Sequence, residues 1–318
     1  MPASTKKPID FTSMKTVLLL AGICCFLWGS ATPAIKIGYQ LFQIESRDIS
    51  SILLFAGVRF LTAGVLVVLY HSITSRKLIL PPKEAAVPIV GLAMNQTVLQ
   101  YFFFYVGLSR VSGVHGAIIT GTNVFISILF ACLVFRYEKM TIRKLSGCLL
   151  GFAGIVIMNL SGFGLSFEVS FAGEGFVLLA QVFYAVSGAL MKKYSRQYDV
   201  VMLSGYQFML GGVILSIIGS LGGETLAGTA GFGGVLLLCY MGFLSAAAYT
   251  IWGMLLKYNP MSKVTIFGFM TPMFGVLLSA AVLGETGQAL SLQALAALIL
   301  VCLGIYVVNG GKIKRSGV

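Results

Sequence analysis

At 318 residues the chain has length enough for two soluble domains, but 58% of it is apolar, only 10% is charged and the mean hydropathy is +0.94, more apolar surface than a water-soluble fold can hide. The net charge of +12 does not point to nucleic acid, because the basic residues sit in short clusters between apolar runs and not along a polar, aromatic-studded stripe. Two histidines and six cysteines without ligand spacing exclude a metal centre and a secreted disulfide framework, so no cofactor is expected and the cysteines read as small apolar fillers.

A bilayer-crossing helix needs roughly 20 mostly apolar residues. After a cytoplasmic tail over 1–15, the first run, 16–38, carries Trp28 and Lys36; it is longer than a signal peptide's apolar core and is expected to stay as a helix. The second, 51–71, contains Arg59, and the third, 86–108, has Gln96, Thr97, Gln100, Tyr101 and Tyr105 at spacings that form one polar stripe. The fourth, 114–135, begins near His115, read as a solvated interfacial residue, and repeats the polar pattern with Thr120, Asn123 and Ser127. Glu138 precedes the fifth, 142–160. The sixth, 174–192, offers Gln181 and Tyr184; the seventh is 201–220; the eighth, 233–255, sets Ser245, Tyr249 and Trp252 on one face. The ninth, 261–283, has small residues and Pro272, which removes a backbone hydrogen bond and predicts a bend. Glu285 precedes the tenth, 289–309, and 311–318 is a basic tail.

With a cytoplasmic N-terminus, all of the 22 basic residues except Lys36, Arg47, Arg59 and Arg110 fall in inside segments, which predicts that both termini are cytoplasmic. The chain also repeats itself at an offset of about 148 residues. Arg59-Phe60-Leu61 aligns with Gln207-Phe208-Met209, Gly64 with Gly212, Tyr101 with Tyr249 and Phe104 with Trp252; Gly154 and Gly304 follow at a slightly longer offset. Five helices per half means that the second half, 174–310, enters the membrane opposite to the first, 16–160, and such inverted repeats support alternating access at a midplane site. The expected fold is therefore an all-α polytopic membrane protein of about ten transmembrane helices in two inverted five-helix repeats.

Trp28-Gly29, Arg59-Phe60, Gly107-Leu108 and Thr271-Pro272, with Glu285 thirteen residues beyond that proline, resemble the EamA-type transporters of the drug/metabolite transporter superfamily over essentially the whole chain. The resemblance implies ten helices, a central cavity and the export or exchange of small metabolites, amino acids included. Phe125 departs from the pattern: it stands where a proline matching Pro272 would fall in the first half.

Polar side chains inside hydrocarbon are costly unless they pair or line a wet cavity. The expected substrate-binding residues are accordingly Trp28, Arg59, Gln96, Gln100, Tyr101, Asn123, Gln181, Tyr184, Tyr249 and Trp252, with interhelical hydrogen bonding or aromatic packing as their structural alternative. For Arg59 the choice lies between an anchor for a carboxylate or phosphate and a structural bond or snorkelling to the interface. Pro272, Glu138 and Glu285 are gating or structural, the acids being placed to meet the positive end of the following helix. The expected function is non-ATP transport of a small polar metabolite by a monomer in a bacterial-type inner membrane, without nucleic acid. A lipid flippase is the alternative. A channel lacks its ring of charges, and an intramembrane enzyme its paired carboxylates or metal cluster.

Overall fold

The computed structural model describes residues 10–45, 48–111, 116, 119–159, 170–222, 231–283 and 292–310. Among them there is no strand. The helices are α1 (Met14–Leu41), α2 (Ile49–Thr74), α3 (Lys83–Leu108), α4 (Ile119–Val134), α5 (Ile142–Asn159), α6 (Phe171–Tyr194), α7 (Val200–Ser220), α8 (Gly231–Tyr258), α9 (residues 261–283) and α10 (Leu292–Asn309). Each coincides with one expected apolar run. Seven, namely α1, α2, α3, α6, α7, α8 and α9, are long and apolar enough to cross a membrane. Large apolar side chains stand exposed around the outside, Leu19, Ile73, Phe232 and Tyr306 among them, which is the surface a bilayer solvates.

α2 and α7 each open on an aspartate that caps the helix: Asp48 accepts from the Ser51 amide at 3.1 Å and Asp199 from the Met202 amide at 2.9 Å. These two helices form the tightest pair, and they run antiparallel, since Gly57 faces Gly212 while Gly64 faces Gly205. A Cβ on Gly64 would stand 2.5 Å from the Met209 amide nitrogen and one on Gly212 2.4 Å from that of Leu61, so only glycine admits this approach. α5 and α10 repeat the device, the backbones touching at Gly147 and Gly304.

The next most extensive contacts follow one rule. α1 packs on α8 and α9, and α6 packs on α3 and α4; α8 lies on α2, and α3 on α7. Adding or subtracting five from every helix number leaves this set unchanged, the contact pattern of a two-fold relation between the halves.

Several helices depart from regular α geometry. α3 carries a π-helical turn over Ala93–Leu99, α4 ends in one over Phe130–Val134, and α9 passes through a 3-10 stretch, Ile266–Phe269, before resuming at Met270. Pro272 lies in the first turn of that resumed helix, where its missing N–H costs least, and the departure from α geometry falls just ahead of it. α4 is interrupted as well, at Thr122, with Phe125 in place of any proline.

Two large apolar clusters fill the interior, one of α1, α4, α5, α6, α8, α9 and α10 with Ile128, Leu255 and Phe269, the other of α1, α2, α3, α7 and α8 with Phe55, Phe208 and Met241. Leu27 and Trp28 pack against both and mark the seam between them. Cys24, Cys25, Cys132 and Cys148 are buried as fillers, while Cys239 and Cys302 face outward.

Candidate functional site

At that seam the aromatic residues of both halves meet. The Tyr101 and Tyr249 hydroxyls are 2.9 Å apart, joining residues that occupy equivalent places in the two repeats. Phe60 and Phe208, likewise equivalent, stack at 5.5 Å. Trp28 of α1 stands edge-on to Tyr249 at 5.1 Å and to Trp252 at 5.0 Å, and Phe208 packs on Tyr249 at 5.2 Å. Such aromatic pairs are rigid and orient one another.

Beside this cluster is a cavity of about 20 Å³, room for roughly one water. Gln96 and Ser127 supply its polar wall, Tyr184, Tyr249 and Trp252 its aromatic wall, and Gly188, Met191, Leu256 and Met261 part of its lining. Four buried polar atoms nearby have no partner among the described residues: Trp28 Nε1, Gln96 Oε1, Gln100 Oε1 and Ser127 Oγ. Buried polar groups are ordinarily paired; of these four, Gln96 and Ser127 line the cavity itself.

The expected stripe on α3 divides. Gln96 turns to the cavity, Tyr101 to Tyr249, and Thr97 donates to Gln207 Oε1 of α7 at 2.9 Å. Gln96 and Thr97 lie within the π turn, which departs from regular α winding. Asn123 lies on α4 opposite Gly268 of α9. Gln181 does not join the site: its amide donates to the Val177 carbonyl of its own helix at 3.1 Å. Ser187 and Thr265 line the cavity without having been singled out in the sequence, and both hydroxyls bond carbonyls of their own helices. Arg59 is 3% exposed, so it does not snorkel; its Nε donates to Ser245 Oγ at 3.0 Å.

A clasp joins the halves at the basic end, below the cavity. Tyr137 donates to the Ala189 carbonyl at 3.1 Å. Lys192 Nζ donates to the Leu256 carbonyl at 2.8 Å and to that of Asn259, satisfying the end of α8. Asn259 Nδ2 donates to the Phe11 carbonyl at 2.8 Å, and Lys263 Nζ to that of Thr12 at 2.9 Å. Glu138 accepts from the Ser262 amide at 3.1 Å, from the Ser262 hydroxyl and from Lys144 Nζ at 2.8 Å. It therefore caps a helix N-terminus as an acid should, but that of α9 in the other half and not that of the following helix. Burial pushes its carboxyl up, yet the hydrogen bonds from Lys144 and Ser262 and the Lys144 charge outweigh this and hold it below its ordinary value. Glu285 and His115 lie outside the described residues. Among the described residues no group of three or more His, Cys, Asp or Glu is placed to hold a metal ion.

The chain is 30% identical over 299 residues to an uncharacterized transporter of Bacillus subtilis, YvbV, covering 93% of this chain and 92% of that one. It is 25% identical over 299 residues to an uncharacterized inner membrane transporter of Escherichia coli, YedA, with 88% of each covered. A solved structure described only as "Crystal structure of protein" shares the fold with a TM-score of 0.75 over 93% of this chain and 99% of that one, at 17% identity. The EamA-like transporter family matches residues 15–160 and again 171–310, one match for each half of the helix-pairing scheme. A duplicated membrane fold with a polar pocket at its seam is thus also a duplicated family signature, and the chain belongs to the EamA-like transporters of the drug/metabolite transporter superfamily.

Proposed function

We propose that the protein is a secondary transporter that exports or exchanges a small polar metabolite, of the size and polarity of an amino acid, by alternating access. In this reading the chain crosses the membrane ten times as two inverted five-helix repeats, with both termini cytoplasmic, and it works as a monomer in the cell membrane. The observation that carries it is the placement of the pocket. Gln96 and Ser127 from one half face Tyr184, Tyr249 and Trp252 from the other across the seam, beside the Tyr101–Tyr249 bond that links equivalent residues. A site so placed changes its exposure when the halves exchange conformations. The hydrogen bonds from Tyr137 to Ala189 and from Ser262 to Glu138 link the two halves at the basic end.

The test is counterflow. Purified protein in liposomes preloaded with an unlabelled amino acid should concentrate the labelled amino acid transiently, and the uptake should saturate. Non-saturating flux would show a channel, movement of labelled lipid between leaflets a flippase, and a changed product an enzyme; each of these overturns the reading.

A further inference from the structure

We infer that Arg59 is the carboxylate-binding residue of the central site, so that the transported metabolite is an acid or zwitterion held by its carboxylate. This deepens the transport reading above and rests on it. The argument starts from the repeat. Arg59 of α2 bonds Ser245 of α8, and Gln207 of α7 bonds Thr97 of α3. Arg59 and Gln207 are equivalent residues, and so are Thr97 and Ser245, separated by the same interval as Tyr101 and Tyr249. The equivalent positions are therefore bonded in both halves, Arg59 donating to Ser245 in one and Gln207 accepting from Thr97 in the other, where a neutral amide makes the link. The positive charge of Arg59 is not needed to join the helices.

That charge is nonetheless kept where it costs most. Arg59 is 3% exposed, its one hydrogen bond among the described residues uses Nε alone, and the ion pairs found there are His71–Asp199 and Lys144–Glu138. An intramembrane guanidinium that lacks a carboxylate partner is costly, and intramembrane charges of this kind mark substrate or ion pathways. The guanidinium lies 5.2 Å from the Phe60 ring, which packs at 4.6 Å on Tyr101, whose hydroxyl meets that of Tyr249 at the pocket. The terminal nitrogens offer the planar fork that matches a carboxylate.

Ligand-induced stabilisation of the purified full chain tests this, with acetate, benzoate and N-acetylglycine set against their amides and inorganic phosphate, at constant ionic strength. The chain's two tryptophans, Trp28 and Trp252, flank Tyr249 or one another, so their fluorescence reports occupancy independently. Acids should bind about tenfold or more tightly than their amides. Arg59→Gln should abolish that preference while its unliganded melting temperature stays level or rises, because glutamine already serves at the equivalent place. An equal response to acid and amide, or a preference that survives Arg59→Gln, overturns the inference; tighter binding of phosphate overturns the carboxylate assignment. Should Arg59→Gln fail to fold, Arg59→Lys and the wild type decide: acid preference in both supports the site, and its absence in either refutes it. Counterflow of a neutral solute without acid binding sinks this site alone, whereas acid binding without any counterflow sinks the transport reading alone.

Discussion

Gln96 and Ser127 hold buried oxygens that no described residue satisfies, and an unpaired buried polar group costs about 1–3 kcal/mol. Removing such groups should not weaken the fold. We expect Gln96→Ala and Ser127→Ala to leave the melting temperature unchanged or slightly higher while lowering counterflow by about two- to tenfold, the worth of one neutral hydrogen bond. A matching loss of stability would mean that the groups pack the protein and do not serve a substrate. Gln96, Tyr101, Tyr249 and Trp252 were legible in the sequence because intramembrane polar and aromatic residues at helical spacing must face something other than lipid. Gln181 obeyed the same rule, yet its amide is used by the Val177 carbonyl, a choice that depends on a rotamer and not on residue type.

Two elements carry the packing predictions. At the α2–α7 crossing, Gly212→Leu would push a side chain into the Leu61 backbone, and we expect a loss of about 2 kcal/mol or more, read as reduced yield and a lower melting temperature. The clasp gives the second. Glu138→Gln removes a charge whose side chain is 10% exposed and leaves Lys144 without its carboxylate; a destabilisation of about 1–3 kcal/mol is expected, with substrate selectivity unchanged. Since the folded state holds the Glu138 carboxyl below its ordinary 4.5, the contribution is fully present above pH 4.5 and is lost as the pH falls through the lower folded value. Wild-type melting temperatures should therefore converge on those of Glu138→Gln below pH 4.5, and parallel curves would show that the carboxylate does not stabilise the clasp. The helices themselves followed from apolar runs, but the π turn of α3, where it contacts α6 and α7, has no mark in the hydropathy pattern.

For the whole molecule, reporters fused after Arg76, Lys144 and Arg196 and at the C-terminus should all read cytoplasm, and those at Glu168 and Glu224 the outside. An outside C-terminus would break the inverted-repeat reading. Among the described residues every carboxylate, from Asp10 to Asp199, lies at or beyond a helix end or within its first turn, none at mid-membrane depth. A coupling proton needs a site that loads on one side and unloads on the other, so counterflow should proceed at equal pH. Transport that vanishes without a pH gradient, and is abolished by Glu138→Gln or Glu285→Gln, would place the coupling at a helix end.

Hydropathy, the alternation of basic loops and the recurrence of Tyr101 as Tyr249 already determined a duplicated, all-helical membrane protein with polar residues gathered on α3, α4 and α8. Those features are local or periodic, and bilayer thickness converts them directly into helices. Only the tertiary structure decided what each polar group meets: that Glu138 caps the opposite half's helix, that Tyr101 and Tyr249 bond each other, and that Arg59 donates to Ser245 while its equivalent, Gln207, accepts from Thr97. Such pairings join residues more than a hundred positions apart, so they exist only once the helices have packed, as Gly57, Gly64, Gly205 and Gly212 let α2 and α7 do.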